Sequence, residues 1–459
     1  MNLVILAAGQ GKRMRSAHPK VLHPLAGRPL LAHVVTAARS VAATLGQAAR
    51  LVVVVGHAGE QVQAAFAADP GLLFVAQQPQ LGTGHALLQA APWLDEAEPT
   101  LVLYGDVPLV QPDTLVDLVR AAAGAVGVLS VRMADPAGYG RVIRGADGRL
   151  VRIVEERDAD DAQRSVNEVN TGILTAPTAR LKAWLAQLGN ENSQREYYLT
   201  DVVALAVRDH VPVVARVAPD PDEVLGVNNK SQLAQLERIV QRRHAERLMQ
   251  SGATLADPAR VDVRGELAVG ADVFIDVGCV FEGTVALADG VRVGPYCVLR
   301  DARVGAGTEL AAFTHLDGCQ IGAQARVGPF ARLRPGAQLE DEVHIGNFVE
   351  VKASRVGRGA KANHLAYLGD ADVGPRTNIG AGTIVANYDG VNKHHSQIGQ
   401  DVHVGSNSVL VAPIRVGDGA TIGAGSTVSH EVPAGGLTLA RTRQVTIPGW
   451  RRPTRKAKA

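Results

Sequence analysis

The chain has 459 residues, of which 46% are hydrophobic and 20% charged, with a formal charge of +2. Such a length implies about two or three cores rather than one, and so balanced a charge gives no electrostatic reason to expect nucleic acid as a partner. No apolar stretch reaches the ~18 residues that a membrane span needs, and Met1-Asn2-Leu3-Val4-Ile5-Leu6 lacks the basic lead-in of a signal peptide, so a cytoplasmic protein is expected. The chain starts with short apolar runs at Leu3–Leu6, Leu51–Val55, Leu72–Val75, Leu101–Tyr104 and Val126–Val131. They alternate with helical stretches such as Pro29–Ala43 and Asp113–Ala123. That alternation predicts a doubly wound α/β domain with a mostly parallel sheet over residues 1–230. Next, Leu233, Leu236, Ile239, Val240, Leu248 and Met249 recur at helical spacing, which predicts a linker helix over 231–251 with Asn229 or Ser231 near its start.

Residues 252–459 follow a different rule. Aliphatic residues return at every sixth position: Val263, Val269, Ile275, Phe281; then Ile321, Val327, Leu333, Leu339, Ile345, Val351; then Ile398, Val404, Leu410, Val416, Ile422, Val428. Neither a helix nor a simple strand sustains a period of six. A triangular coil does, with one aliphatic residue per side pointing inward and a small residue at each turn. The 49 glycines and the aromatic content of only 4% suit such a core. Cys279, Cys297 and Cys319 have no CxxC-type spacing and are read as small packing residues in a reducing compartment. The repeat breaks over Ala386–Gln397, a polar insertion that must project from the solenoid and reach a ligand or a neighbouring subunit. Arg451, Arg452, Arg455, Lys456 and Lys458 read as a solvated basic tail; the alternative is a contact with an anionic ligand.

The first strand runs into Ala7-Ala8-Gly9-Gln10-Gly11-Lys12-Arg13-Met14, small residues that let backbone amides approach a phosphate chain, with positive charge beside them. Alone it could be a tight strand–helix turn, because it has neither the third glycine of a dinucleotide fingerprint nor a P-loop ending. More segments follow in order: Pro19-Lys20, Gln77, Leu81-Gly82-Thr83-Gly84-His85-Ala86, Tyr104-Gly105-Asp106-Val107-Pro108, Gly138-Tyr139-Gly140-Arg141, Glu155-Glu156, Asn167–Gly172 and Gly226-Val227-Asn228-Asn229. This series resembles the sugar-1-phosphate nucleotidyltransferases, and most closely the bifunctional enzymes that make UDP-N-acetylglucosamine. The resemblance continues through the linker helix and the hexapeptide repeats, and from it comes the left-handed sense of the β-helix. It implies uridylyl transfer from UTP to N-acetylglucosamine-1-phosphate, chemistry of positioning and charge neutralisation. By resemblance, Asp106 and Asn228 hold Mg²⁺, and Arg13 and Lys20 act on the phosphates. Leu6, Ala7, Ala8, Gly9, Gln77, Gly82, Thr83, Tyr104 and Gly105 hold the nucleotide, and Gly140, Glu155 and Asn170 the sugar.

In the repeat region, one coil takes about 18 residues, so Arg334 and Lys352, 18 positions apart, stack on one edge and make a plausible phosphate or carboxylate site. His364, 12 positions beyond Lys352, falls on another edge, so a site using all three needs a second subunit or the projecting loop. The segment Asn363-His364-x-x-Tyr367-x-Gly369-Asp370 resembles the acetyltransferase signature of the same bifunctional family, which implies a homotrimer. It also implies acetyl-CoA and glucosamine-1-phosphate as substrates, His364 as general base, and Arg334, Lys352, Tyr367 and Asn378 on the sugar phosphate. Acetyl-CoA then meets Ala381, Asn387, Tyr388, Ser406, Ala424 and Arg441. The product would feed peptidoglycan and lipopolysaccharide precursors. A competing reading is a single-function pyrophosphorylase whose β-helix only oligomerises; another is a non-enzymatic sugar-binding scaffold, which would release no pyrophosphate from UTP.

Overall fold

The computed structural model describes residues 1–453 and divides into two compact units, Met1–Arg243 and His244–Ala459. Of the basic tail, Arg451 and Arg452 are exposed, while Arg455, Lys456 and Lys458 lie outside the described residues. Among the described residues no helix is long and apolar enough to cross a membrane.

The first unit is built on nine strands: β1 (Asn2–Ala7), β2 (Arg50–Val55), β3 (Leu72–Ala76), β4 (Pro99–Tyr104), β5 (Val126–Arg132), β6 (Arg141–Arg144), β7 (Leu150–Val154), β8 (Glu168–Pro177) and β9 (Val213–Val217). Its main helices are α1 (Leu30–Thr44), α2 (Gly59–Ala65), α3 (Thr83–Ala90), α4 (Pro112–Ala121), α5 (Thr178–Leu185) and α6 (Asp201–Arg208), and α7 (Lys230–Gln250) begins in it and continues past Arg243 into the second. The sheet order is β9-β5-β8-β4-β1-β2-β3, with the β6–β7 hairpin attached to β8. Strand β1 is buried on both faces, which is why it reads as a continuous apolar run. Leu3, Ile5 and Ala7 join one core with Val34, Val41 and Leu115 of α1 and α4. Val4 and Leu6 join the other with Leu87, Leu181, Trp184 and Val203. The parallel pairs match the expected alternation; β8 does not, because it runs antiparallel between β4 and β5. Its register slips between Asn170 and Leu174, with Gly172 at φ +85°, so no simple period marks it as a strand. Helix α7 starts where the Asn229 carboxamide oxygen accepts from the Gln232 amide at 2.9 Å, so Asn229 rather than Ser231 is the cap.

The second unit is a left-handed parallel β-helix with three ladders of short strands. Arg332 pairs with Glu350 and Glu350 with Tyr367 on one ladder; Arg326, His344, Lys361 and Asn378 follow one another on the next; Gln320, Gln338, Arg355 and Asp372 on the third. Coils therefore repeat at 17 or 18 residues, except that Asn378 pairs with His403, 25 positions on, to accommodate the projecting loop. The sixth-position residues from Ile321 to Val351 and from Ile398 to Val428 are all buried in one column, whereas Val269 at its start is only half-buried. The coils extend from Thr254 to Thr438, beyond both ends of the hexad pattern. All three cysteines sit in the column, where burial pushes the thiols up to about 11 for Cys279 and about 12 for Cys297 and Cys319.

Candidate active sites

In the first unit a cavity of about 420 Å³ opens at the carboxyl ends of β1 and β4, where open α/β sheets bind ligands. Leu6, Ala7, Ala8, Gly9, Lys20, Gln77, Gly82, Thr83, Tyr104 and Asp106 line it. Two backbone bonds assemble its floor. The Gly105 amide donates to the Leu6 carbonyl at 3.0 Å, and the Val227 amide to the Asp106 carbonyl at 2.9 Å, which brings Asn228 from the end of the unit to Asp106. The Lys20 ammonium then bridges the Asp106 carboxylate and, at 3.3 Å, the Asn228 carboxamide oxygen. Two hard oxygens thus converge on one cation, a donor set that suits Mg²⁺ when substrate phosphates and water complete the shell. Among the described residues no cluster of three or more His, Cys, Asp or Glu could hold a metal alone.

Beside this cavity stands a second group. The Asn170 amide donates to the Gly140 carbonyl at 2.8 Å, and a Cβ on Gly140 would sit 3.4 Å from a Glu155 carboxylate oxygen, so Gly140, Glu155 and Asn170 are neighbours. Burial pushes the Glu155 carboxyl up, opposed by the Thr200 hydroxyl that donates to it at 3.1 Å. Tyr104 links the two groups: burial raises its phenol, and the charges of Glu155 and Asp106 add to that. Gly172 is required at its position, since a Cβ there would lie 2.5 Å from Cε2 of Tyr104. Arg13 is exposed and is not among the lining residues.

In the second unit Arg334 and Lys352 occupy one ladder, in register one coil apart. Arg334 donates to Glu350 at 2.7 Å, and Lys352 to both oxygens of Asp370 at 3.1 and 3.0 Å. Asn387, at the root of the projecting loop, donates to the same Asp370. The Asp370 carboxyl is raised by burial but carried below its usual range by Lys352 and Asn387. Lys393, from the loop, is pushed down by Lys352 beside it, so two ammonium groups and the Arg334 guanidinium share one locus suited to a phosphate. His364 belongs to another ladder, opposite Asn347. Its Nδ1 lies 2.8 Å from the Asn347 carboxamide oxygen, which only accepts. The tautomer that satisfies this contact has its proton on Nδ1 and its lone pair on Nε2. Ala381, Ser406 and Ala424 stack one coil apart, through bonds from the Asn407 amide to Ala381 at 2.7 Å and from Gly425 to Ser406 at 2.8 Å. Arg441 closes that row by donating to the Ala424 carbonyl at 2.7 Å.

A model of the MobA-like NTP transferase domain matches residues 3–255, and one of the bacterial transferase hexapeptide (six repeats) matches 395–430. The bifunctional protein GlmU of Bordetella parapertussis is 59% identical over 461 residues, covering 100% of both chains. Those of Ralstonia pickettii and Burkholderia vietnamiensis are 57% and 60% identical, covering 100% and 99% of this chain and all of each relative. The chain belongs to the GlmU family. In this GlmU-family chain the structure gathers into one cavity eight of the residues expected at the nucleotide together with Lys20 and Asp106, with Gly105 and Asn228 attached through the bonds above. In the second unit it leaves His364 and Asn378 on a different ladder from Arg334, Lys352 and Tyr367. Sequence reasoning passed over Gln10, Gln80 and Glu196, which line the cavity, and Asn347, which orients His364. Polar residues in loops have no period; only Asn347, 17 positions before His364, could have been found by coil spacing.

Proposed function

We infer that the chain makes UDP-N-acetylglucosamine in two steps, one per unit. Acetyl transfer from acetyl-CoA to glucosamine-1-phosphate comes first, then uridylyl transfer from UTP with loss of pyrophosphate. The observation that carries this reading is the Lys20 ammonium held between Asp106 and Asn228 in the nucleotide cavity, in the same chain as an oriented His364. In the first unit a phosphate oxygen of the sugar phosphate attacks the α-phosphorus of UTP, and the bond to pyrophosphate breaks. Asp106 and Asn228 would hold Mg²⁺, which would supply neutralisation of the phosphate charge. Lys20, released from Asp106, and Arg13 bind phosphate oxygens, while Gly140, Glu155 and Asn170 hold the sugar. In the second unit the amine nitrogen of glucosamine-1-phosphate attacks the thioester carbonyl, His364 Nε2 takes the amine proton and returns it to the departing sulfur, and coenzyme A leaves as thiol. Arg334, Lys352, Tyr367 and Asn378 bind the sugar phosphate, and Ala381, Asn387, Tyr388, Ser406, Ala424 and Arg441 contact acetyl-CoA. The buried thiols take no part. Both co-substrates are soluble metabolites, which suits a cytoplasmic enzyme.

A homotrimer completes the acetyl-transfer site in this reading. Tyr296, Phe313, Phe330 and Phe348 stack along one edge with ring centroids 4.9 to 5.3 Å apart, and Leu365 continues the row. All five are between 46% and 61% exposed. A stripe of this kind in a monomer calls for cover, and its last member adjoins His364. Asp106→Ala should abolish pyrophosphate release from UTP and leave thiol release from acetyl-CoA intact; equal loss of both overturns the assignment of separate sites. Phe330→Glu should yield a smaller species by sedimentation that keeps uridylyl transfer and loses acetyl transfer. Full acetyl transfer by that species would refute the shared site.

A further inference from the structure

We propose that Thr200 is a positioning residue for uridylyl transfer, whose hydroxyl turns the Glu155 carboxylate toward the acceptor sugar. This rests on the uridylyl-transfer reading above and deepens it. Thr200 directly precedes α6, and Glu155 directly follows β7, the strand on which α6 packs. A threonine at the start of a helix ordinarily accepts from an amide of the first turn. Thr200 makes no such bond. Its backbone is already helical, at φ −60° and ψ −23°, and the amides of Asp201, Val202 and Val203 donate to the carbonyls of Tyr198, Leu199 and Thr200 at 3.1 to 3.3 Å. The hydroxyl is thereby spared for Glu155, whose Oε1 it reaches at 3.1 Å. A carboxylate oxygen only accepts, so the hydroxyl is the donor and the direction of this bond is fixed.

The bond divides the two carboxylate oxygens between tasks. Oε1 is held by Thr200, and Oε2 is the oxygen nearest Gly140, 3.4 Å from where a Cβ on that glycine would stand. Oε2 therefore borders the space that the missing side chain leaves, beside Asn170, whose amide is tied to the Gly140 carbonyl at 2.8 Å. A carboxylate oxygen accepts most strongly from a sugar hydroxyl while it is ionised. Burial pushes the Glu155 carboxyl up, the Thr200 hydroxyl opposes that, and the carboxylates of Asp201, Asp158 and Glu196 add to the upward push. Thr200 is itself fixed in place. Leu199 beside it is buried, and its amide donates at 3.1 Å to the hydroxyl of Thr83 in the wall of the nucleotide cavity. The Tyr197 amide donates to the Leu81 carbonyl, and the Tyr197 carbonyl accepts from the Gly84 amide, both at 2.8 Å. Residues 197–200 thus span both subsites. Their bonds to the nucleotide wall come from the backbone, so removing the Thr200 hydroxyl leaves those in place.

The test compares KM for N-acetylglucosamine-1-phosphate with KM for UTP, by pyrophosphate release, in the full-length wild type, Thr200→Val and Thr200→Ser. Valine keeps the branched shape without the donor, and serine keeps the donor without the branch. In Thr200→Val, KM for the sugar phosphate should rise about tenfold, the worth of one hydrogen bond to a charged group, with KM for UTP within about twofold. Thr200→Ser should stay within about threefold of wild type for both. Where turnover is too slow, calorimetric binding of UDP-N-acetylglucosamine against UDP reads the same difference, because the two ligands differ only in the sugar. Adding Thr200→Val to Glu155→Ala should change neither ligand's binding further, the mark of a residue that acts through Glu155. An unchanged sugar-phosphate KM in Thr200→Val, equal loss for both substrates, a Thr200→Ser no better than Thr200→Val, or a full further loss on top of Glu155→Ala would overturn the proposal. A wild type that transfers no uridylyl group at all, or a Glu155→Ala that binds UDP-N-acetylglucosamine as wild type does, would instead refute the functional reading beneath it.

Discussion

Replacing Gly172 with alanine tests whether the placement of Tyr104 matters to uridylyl transfer. At φ +85° an L-residue costs about 1–2 kcal/mol of backbone strain. The new Cβ would lie 2.5 Å from Cε2 and 2.8 Å from Cζ of Tyr104. Carbon atoms pack at roughly 3.5–4.0 Å, so the ring has to retreat by about 1 Å. Tyr104 leads through Gly105 to Asp106, and a displacement of ~1 Å at a reacting centre costs on the order of 10²-fold in rate. Gly172→Ala should therefore lower kcat/KM for pyrophosphate release about 100-fold, lower the melting midpoint of the first unit by several degrees, and leave acetyl transfer alone. Gly124→Ala is the matched control: its φ is +74°, and nothing lies within 4 Å of the Cβ position. It should carry the same strain and melting loss with uridylyl transfer within about twofold of wild type. If both variants kept full uridylyl transfer, or both lost it equally, the argument from Tyr104 would fail.

Asn347→Ala should lower acetyl transfer about five- to tenfold, the worth of the bond that fixes the His364 tautomer, without changing uridylyl transfer; an unchanged acetyl-transfer rate would remove Asn347 from the site. Leu333→Ala, at a fully buried place in the aliphatic column, should destabilise the second unit by about 2–5 kcal/mol in denaturant titration. Glu168 should contribute to the acid sensitivity of the first unit. Burial raises its carboxyl, but Arg144 at 2.6 Å and Ser130 at 2.7 Å outweigh that, and the folded-state value is depressed. Its stability contribution is present above the ordinary value of 4.5 and lost as pH falls through the lower folded value. Glu168→Gln should flatten stability against pH below about 4.5, and an unchanged slope would contradict this.

The sequence alone determined the period-six column and the parallel strands from Leu3 to Val131, because burial on a regular lattice repeats, and repetition is visible along a chain. It also located Asp106 and the Asn228 segment as motifs, though the spacing between them says nothing of distance. Tertiary structure decided the rest. Strand β8 enters the sheet antiparallel through a bulge at Gly172, so its apolar pattern is broken where the site needs it. Lys20, Asp106 and Asn228 meet because a backbone bond ties Val227 to Asp106 across more than a hundred residues. Asn347 reaches His364 only because coils stack, and the aromatic row from Tyr296 to Phe348 becomes a surface only once each coil has turned three corners. A hydrogen bond between partners far apart in the chain leaves no period behind it, so the column was legible from the beginning and the chemistry carried on it was not.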